Sequence, residues 1–378
     1  MKYKLQDLCF FVNEKVNIEE LTDKTYISTE NMLPNKGGIT KASSLPNITQ
    51  TLRYREHDVL VSNIRPYFKK IWYANNDGGC SNDVLVLRAK EGTDTKFLYY
   101  ILSNDAFFEY SNTTSKGTKM PRGDKKAIMQ YQVPDFDIDI QCKISDILSI
   151  VDKKIELNKQ INENLDQQAQ AMFVQEFLSQ SSIPDDWKEG SLLDIANYLN
   201  GLAMQKFRPA DNEIGLPVLK IKELRQGSCD SSSEFCSPSI KPEYIIHDGD
   251  VIFSWSGSLL VDFWCGGACG LNQHLFKVTS QKYDKWFYYA WTKHHLDHFA
   301  AVAADKATTM GHIKRDELAK AEVLIPNSAD YSRIGSLLQP IYELIITNRI
   351  ENKKLVGLRE TLLPQLMSGH IDVSNINL

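Results

Sequence analysis

The sequence predicts an α+β protein of two tandem, mixed α/β globules joined by two long antiparallel coiled-coil helices. Two observations predict it. The second half of the chain repeats the first at an offset of about 190 residues, and a 3.5-residue apolar seam recurs at the end of each half. Two copies of one unit joined in this way make a pseudo-twofold internal repeat.

The repeat keeps its order along the chain. His57-Asp58-Val59-Leu60-Val61-Ser62 answers to Gly249-Asp250-Val251-Ile252-Phe253-Ser254, and Gly79-Cys80-Ser81-Asn82-Asp83 to Ala268-Cys269-Gly270-Leu271-Asn272-Gln273. Lys96-Phe97-Leu98-Tyr99-Tyr100 answers to Lys285-Trp286-Phe287-Tyr288-Tyr289, Gly117-Thr118-Lys119-Met120 to Ala307-Thr308-Thr309-Met310, and Val133-Pro134 to Ile325-Pro326.

Residues 1–140 form the first globule, with short β-branched and aromatic runs broken by Gly, Asn and Pro, and a helix over 96–109. Residues 1–13 read as its first strand and not as a signal peptide, because the apolar run is short and no small-residue cleavage site follows. A spacer helix occupies 141–180, its core running from about 144 to 177, and 179–184 is a polar linker. The second globule spans 185–328, and a second spacer helix lies within 330–370. Pro340 is expected to kink that helix or mark a fresh start, and Pro364 and Gly369 to stop it.

The seam is written in steps of four and three: Ile144, Leu148, Val151, Ile155, Asn158, Asn162, Leu165, Ala169, Met172 in the first helix, and Ile334, Leu338, Ile341, Ile345, Asn348, Asn352, Leu355, Arg359, Leu362 in the second. Both copies carry two asparagines at the same two positions. A polar interruption of an apolar seam gives up stability to fix register and partner number. The plainer alternative is one amphipathic helix per globule, packed on its own core. About 29 seam residues per helix span roughly 43 Å, and two-fold-related DNA readers have half-sites roughly 34–36 Å apart. The helices would then act as a ruler.

At 378 residues the chain can bury two or three cores, and no stretch is apolar enough to span a membrane. Seven cysteines at irregular spacing make no disulfide framework and suit a reducing cytoplasm. Cys265 and Cys269 with His274 nearby come closest to a metal pattern, but the second Cys pair that a zinc site needs is missing, so no metal is expected. The formal charge of −5 excludes a protein coated in positive charge, while leaving room for local basic patches.

The ordered set of motifs resembles the specificity subunits of type I restriction–modification systems. The match is carried in the first half by Asp58-Val59-Leu60-Val61-Ser62-Asn63-Ile64-Arg65-Pro66 and Gly78-Gly79-Cys80-Ser81-Asn82-Asp83. In the second half it is carried by Gly201-Leu202-Ala203-Met204-Gln205-Lys206, Leu219-Lys220-Ile221-Lys222-Glu223-Leu224, the segment Gly249 to Gly257 and Leu271-Asn272-Gln273-His274. The tail Leu362-Leu363-Pro364-Gln365-Leu366-Met367-Ser368-Gly369 is similar to that family's C-terminus. One departure is the start of the first half, Lys4-Leu5-Gln6-Asp7-Leu8, which lacks the tryptophan of Asp186-Trp187-Lys188. The resemblance implies that the globules are target-recognition domains, each reading half of a split double-stranded DNA site. It also implies that the helices set the gap and dock two methyltransferase (modification) subunits, and that a motor-nuclease (restriction) subunit joins for cleavage. No membrane and no cofactor is implied.

DNA contact needs Lys and Arg for phosphates and side chains that reach base edges. Four stretches are basic on an otherwise acidic chain. They carry Arg53, Arg55, Arg65, Lys69 and Lys70; then Lys116, Lys119, Arg122, Lys125 and Lys126; then Lys206, Arg208, Lys220 and Lys222; and last Lys306, Lys314 and Arg315 beside Thr308 and Thr309. Asn63 and Gln205 are candidates for adenine edges, though both types also cap turns. Trp255 suits either the binding face or the core.

No catalytic set accompanies them. The chain has neither a cofactor loop with an Asn/Asp-Pro-Pro-aromatic motif nor a Gly-x4-Gly-Lys-Ser/Thr loop, which speaks against methyltransferase and motor. Pro134-Asp135 with Gln141 and Lys143 is a degenerate nuclease pattern that reads better as a strand leaving its sheet, and His294, His295 and His298 read as a helix surface. The rival functions are a protein-binding coiled-coil scaffold, which leaves the matched basic loops unexplained, and a self-contained DNA-cleaving enzyme, which lacks the motifs.

Overall fold

The computed structural model describes residues 3–179, 182–305 and 315–376. The chain divides into two compact units, one made of 1–153 with 356–378 and the other of 154–355.

In the first unit an antiparallel sheet runs in the order Cys9–Phe11, Val84–Ala89, Val59–Ser62, Ile71–Tyr73. Alternation along its strands sends side chains to two cores. Val59, Val61, Leu85 and Leu87 pack on the helices Thr95–Ser103 and Asp105–Thr113, while Leu60, Val84 and Val86 face Ile27, Met32, Tyr54 and Cys80. The second face is covered by a small sheet ordered Lys15–Asn17, Gln50–Tyr54, Gly78–Cys80, Tyr26–Ile27, whose last pair is parallel. A sheet buried on both faces explains why all four residues of Val59–Ser62 are buried.

The second unit rebuilds this plan. Its larger sheet is ordered Asn197–Asn200, Leu275–Thr279, Val251–Ser254, Leu260–Phe263. Val251, Phe253 and Val278 face the helix Lys285–His294, and Ile252 and Leu275 face Leu219, Cys269 and Leu271. The small sheets share a three-strand centre in which Leu216–Leu219 lies parallel to Cys269–Leu271. They differ at the edge: Lys15–Asn17 is added beside Gln50–Tyr54 in the first, and Phe235–Cys236 beside Leu216–Leu219 in the second.

The matched turns coincide. The Asp58 carboxylate accepts the Arg55 amide at 2.8 Å, and that of Asp250 accepts the His247 amide at 2.9 Å. His57 and Gly249 both hold positive φ, at 73° and 86°. The altered start of the first half also has a structural counterpart. Lys188–Ser191 forms a four-residue ladder with Glu322–Ile325 and Trp187 is buried, whereas Lys4 makes a single bridge to Gln132.

Several expectations need correction. The segment expected as one helix over 96–109 is two, because Asn104 is extended and caps the second by accepting the Ala106 amide at 3.1 Å. The opening segment is a short helix, Leu5–Leu8, before its strand. The first long helix starts earlier, at Ile138–Phe173, and closes with a π turn, Val174–Leu178. The second runs Ser328–Met367 straight through Pro340 and Pro364. Buried Leu338 and Tyr342 flank Pro340 and hold the helix on its core, which offsets the lost backbone bond. The stop falls at Gly369 (φ 72°): its amide donates to Leu366 and that of His370 to Gln365, a Schellman closure. His294 and His295 are half-buried against Trp291, with a His295 ring nitrogen 2.8 Å from the Glu322 carbonyl, so only His298 is an exposed helix position.

The seam is composite. Ile144 and Leu148 belong to the core of the first unit, and Ile334, Leu338 and Ile345, with Leu165 and Ile341 at its edge, to that of the second. The plainer reading therefore holds at the helix ends. The helices also run antiparallel within each unit. In the second, Asn158 donates to Asn352 at 2.9 Å and Asn348 to Asn162 at 2.9 Å; in the first, Arg359 reaches Asp152 at 2.6 Å. Asn162 also donates to the Ile345 carbonyl and Asn352 to that of Ile155. Shifting every partner by 190 exchanges these bonds pairwise, so the duplication reaches the hydrogen bonds themselves. Val151 and Ile155 are buried and Leu355 half-buried.

The asparagines are expected to act on register. Asn158→Leu alone orphans the Asn352 side-chain oxygen Oδ1 and lowers stability by about 1–3 kcal/mol in chemical denaturation. Replacing all four with leucine raises the midpoint and permits slipped pairings, which disulfide trapping of cysteine pairs along the helices detects. A four-leucine chain with a single register contradicts this role.

Candidate nucleic-acid interface

In each unit, loops leave the carboxyl ends of the parallel strand pair and of the central strand of the larger sheet, and converge. In the first unit the Ser81 amide donates to the Ile27 carbonyl at 2.8 Å, and the Asn63 amide to that of Asp83 at 2.8 Å. In the second the Asn272 amide donates to Leu219 at 3.2 Å and that of Leu202 to Leu271 at 2.9 Å, which places the turn Met204–Lys206 beside Lys220 and Asn272. A groove of about 500 Å³ opens in the first unit between Ser28, Asn31, Lys41, Ser81 and Asp83.

Arg65 of the first basic stretch is brought against the second stretch. Lys116 and Arg122 exchange backbone hydrogen bonds at 2.9 Å and close a hairpin, and the Arg65 amide donates to Pro121 at 2.8 Å. Lys119 is exposed at the hairpin tip, and Arg65 is exposed with φ 50°. Among the described residues no acidic partner is recorded for Arg65, Lys119 or Lys126. Arg122 meets Asp83 at 3.0 Å, Lys116 pairs with Asp124, and Lys125 lies over the Phe11 ring at 5.7 Å.

Other cations of these stretches are already occupied. Arg55 is held by Glu14 at 2.8 Å and Arg53 by Asp77 at 3.7 Å. Lys69 and Lys36 share Asp105, at 2.8 and 2.7 Å. Burial pulls the Asp105 carboxyl up, but its bonds to these two ammonium groups outweigh this and hold it below its usual value. Lys70 donates to the Thr29 carbonyl at 2.6 Å, and desolvation lowers its pKa. The Asn63 side-chain oxygen is buried without a hydrogen-bond partner.

In the second unit Gln205 and Lys206 are exposed. Lys220 and Arg208 share Glu234, at 2.6 and 3.7 Å, and Lys222 meets Asp230 at 3.3 Å. Trp255 sits half-buried at the position equivalent to Asn63; its indole donates to Asn200 at 3.0 Å and its ring packs on Phe276. Ser256 and His274 meet beside it at 3.2 Å. Arg315 opens the helix Arg315–Lys320, whereas Lys306, Thr308, Thr309 and Lys314 lie outside the described residues. Sequence reasoning placed Ser256 and His274 only within the family motifs, and passed over Tyr67 and Phe68, exposed between Arg65 and Lys69. Aromatic residues interleaved with cations after a proline were the available signal.

The weaker enzymatic patterns are structural. Gln141 is buried and bridges the Asp94 amide to the Phe136 carbonyl, and Lys143 donates to Ser374 at 2.5 Å. Cys265 and Cys269 are buried, desolvation pushes the Cys265 thiol up to about 11, and no group of three or more ligating side chains that could hold a metal occurs among the described residues. No helix among the described residues is long and apolar enough to cross a membrane.

The family model described as type I restriction modification DNA specificity domain matches residues 1–167 and again 184–356. The chain is 25% identical over 309 residues to the type I restriction enzyme MjaIX specificity subunit of Methanocaldococcus jannaschii, covering 76% of this chain and 71% of that one. It is 20% identical over 457 residues to the HindI specificity subunit of Haemophilus influenzae, covering 98% and 99%. Its fold is that of the type I restriction–modification S subunit from M. genitalium, with a TM-score of 0.60 at 14% identity over 97% of this chain and 96% of that one. The chain belongs to the type I restriction–modification DNA specificity family, as a DNA-recognition subunit with one copy of the specificity domain in each half.

Proposed function

We propose that residues 1–140 and 185–328 each read one half of a bipartite double-stranded DNA site. The helices of 141–180 and 330–370 set the spacer between the halves and dock two methyltransferase subunits. Motor-nuclease subunits join the same assembly for cleavage, in the cytoplasm. The observation that carries this reading is the recurrence, in both units, of one loop constellation at the carboxyl ends of the parallel strands, with exposed cations around it. Phosphate contacts from such cations position the duplex, and polar side chains in the loops supply base contacts.

Exchange of residues 185–328 for those of a relative tests it. Methylation mapping of the exchanged protein in its host is expected to show a new second half-site with the first half-site and the spacer unchanged, because base contacts belong to the domains and spacing to the helices. A change in both half-sites together, or in the spacer, overturns the division of labour. A protein-binding scaffold, by contrast, would show no salt-dependent DNA affinity at all.

A further inference from the structure

We infer that Tyr67 and Phe68 form an aromatic wedge that opens a base step in the DNA half-site read by the first domain. The inference rests on the reading of residues 1–140 as a DNA reader. Both rings sit on the single turn Pro66–Phe68, 4.7 Å apart, and remain 48% and 38% exposed. A folded chain usually buries such rings, because each carries a large apolar surface.

The turn is held rigidly. Arg65 and Lys69, on either side of it, both adopt the left-handed conformation with φ 50°, which costs a non-glycine residue energy. Two further left-handed residues support it from a neighbouring loop: the Asn35 amide donates to Phe68 and that of Lys36 to Lys69, at 2.8 and 2.9 Å. Lys36 and Lys69 are then pinned to one carboxylate, that of Asp105. Strain of this kind persists where the surroundings over-determine it, and it fixes the rings against collapse onto the surface.

The surroundings select the partner. Arg65 adjoins the rings, and Lys119 and Arg122 lie on the hairpin hydrogen-bonded to Arg65. Flat apolar faces inside a cationic rim match stacked bases inside a phosphate backbone. Apolar side chains inserted between base pairs unstack and kink the duplex. At the equivalent place the second domain carries no aromatic pair. The residue equivalent to Arg65 is Gly257 (φ 67°), followed by Ser258 and the half-buried Leu259.

The test uses the full-length chain and duplexes carrying the site found by methylation mapping, with 2-aminopurine placed singly at each adenine across both half-sites. Binding is expected to raise the fluorescence several-fold at one step in or beside the first half-site, and at none in the second. The double variant Tyr67→Ser/Phe68→Ser is expected to lose that rise and to bind about tenfold or more weakly, with an unchanged salt slope. Tyr67→Leu/Phe68→Leu, which keeps apolar volume if the serine pair fails to fold, retains the rise. No fluorescence change in the parent chain, or a rise that survives the serine pair, overturns the wedge. If the wedge fails while Arg65→Ala/Lys119→Ala still weakens binding, the reader stands without it; if binding responds to neither, the reader falls as well.

Discussion

Replacing Arg65, Lys119, Arg122 and Lys126 with alanine lowers DNA affinity on the order of 10²–10³-fold at physiological salt. Three of these cations have no recorded acidic partner among the described residues, and the fourth meets only the half-exposed Asp83. Each lost phosphate contact removes about 0.9 from the log–log salt slope, so the set flattens it by up to roughly 3.6. Thermal stability should barely move, because exposed charges contribute little to folding. The control is Arg55→Ala. That guanidinium is already held by Glu14 at 2.8 Å, so its loss should leave the slope nearly intact. Binding titrations at four or five salt concentrations decide it. Equal effects from the control and the set would show that the recorded ion pairs do not sort contacting from idle cations.

Asp58→Ala destabilises the first domain by about 3–5 kcal/mol, enough to unfold much of it. Asp58 is 1% exposed. Its carboxylate takes two bonds from Arg88, both 2.8 Å, and one from the Arg55 amide. Removing it strands a guanidinium that is 22% exposed and whose remaining recorded carboxylate partner is Glu14, at 2.6 Å. Asp250→Ala in the second domain should cost less, since its partner Lys277 makes one ion pair at 2.8 Å and also reaches the Ile245 carbonyl. Calorimetry of the two variants separates them. The same cluster sets an acid limit. The hydrogen bond from Arg88, with help from Arg55, holds the Glu14 carboxyl below its usual value of 4.5. That contribution is fully present above about pH 4.5 and is lost as pH falls through the lowered folded value. The unfolding midpoint of the first domain should therefore drop on acidification below pH 4.5, and drop less in Glu14→Gln.

The Asp-Val pairs at Asp58-Val59 and Asp250-Val251 show what linear order carries and what it leaves out. They were visible as a repeated string, and as a string they served only to align the halves. In the fold Asp58 is a buried ion-pair centre bonded to Arg88, and Asp250 a half-buried one bonded to Lys277. The prolines show the opposite error. Pro340 and Pro364 promised breaks, and tertiary burial of Leu338, Tyr342, Leu363 and Leu366 overrode them. The basic stretches were legible as charge, but their members divide into occupied and unoccupied cations, and nothing in the local sequence separates Arg55 from Arg65.

Duplication, the seam with its paired asparagines and the absence of catalytic motifs are properties of linear order, so they could be read before any fold was known. Periodicity survives in sequence because helix and strand geometry repeat every few residues. Ion pairs and loop convergence do not, because they join residues distant in the chain: Arg55 to Glu14 across 41 positions, Lys69 to Asp105 across 36. Only the tertiary structure could show that Arg65 and the 116–122 hairpin share one surface, and that two aromatic rings stand exposed on a strained turn. Contacts of that kind depend on where sheets and helices bring the backbone, which is set by packing of the whole domain.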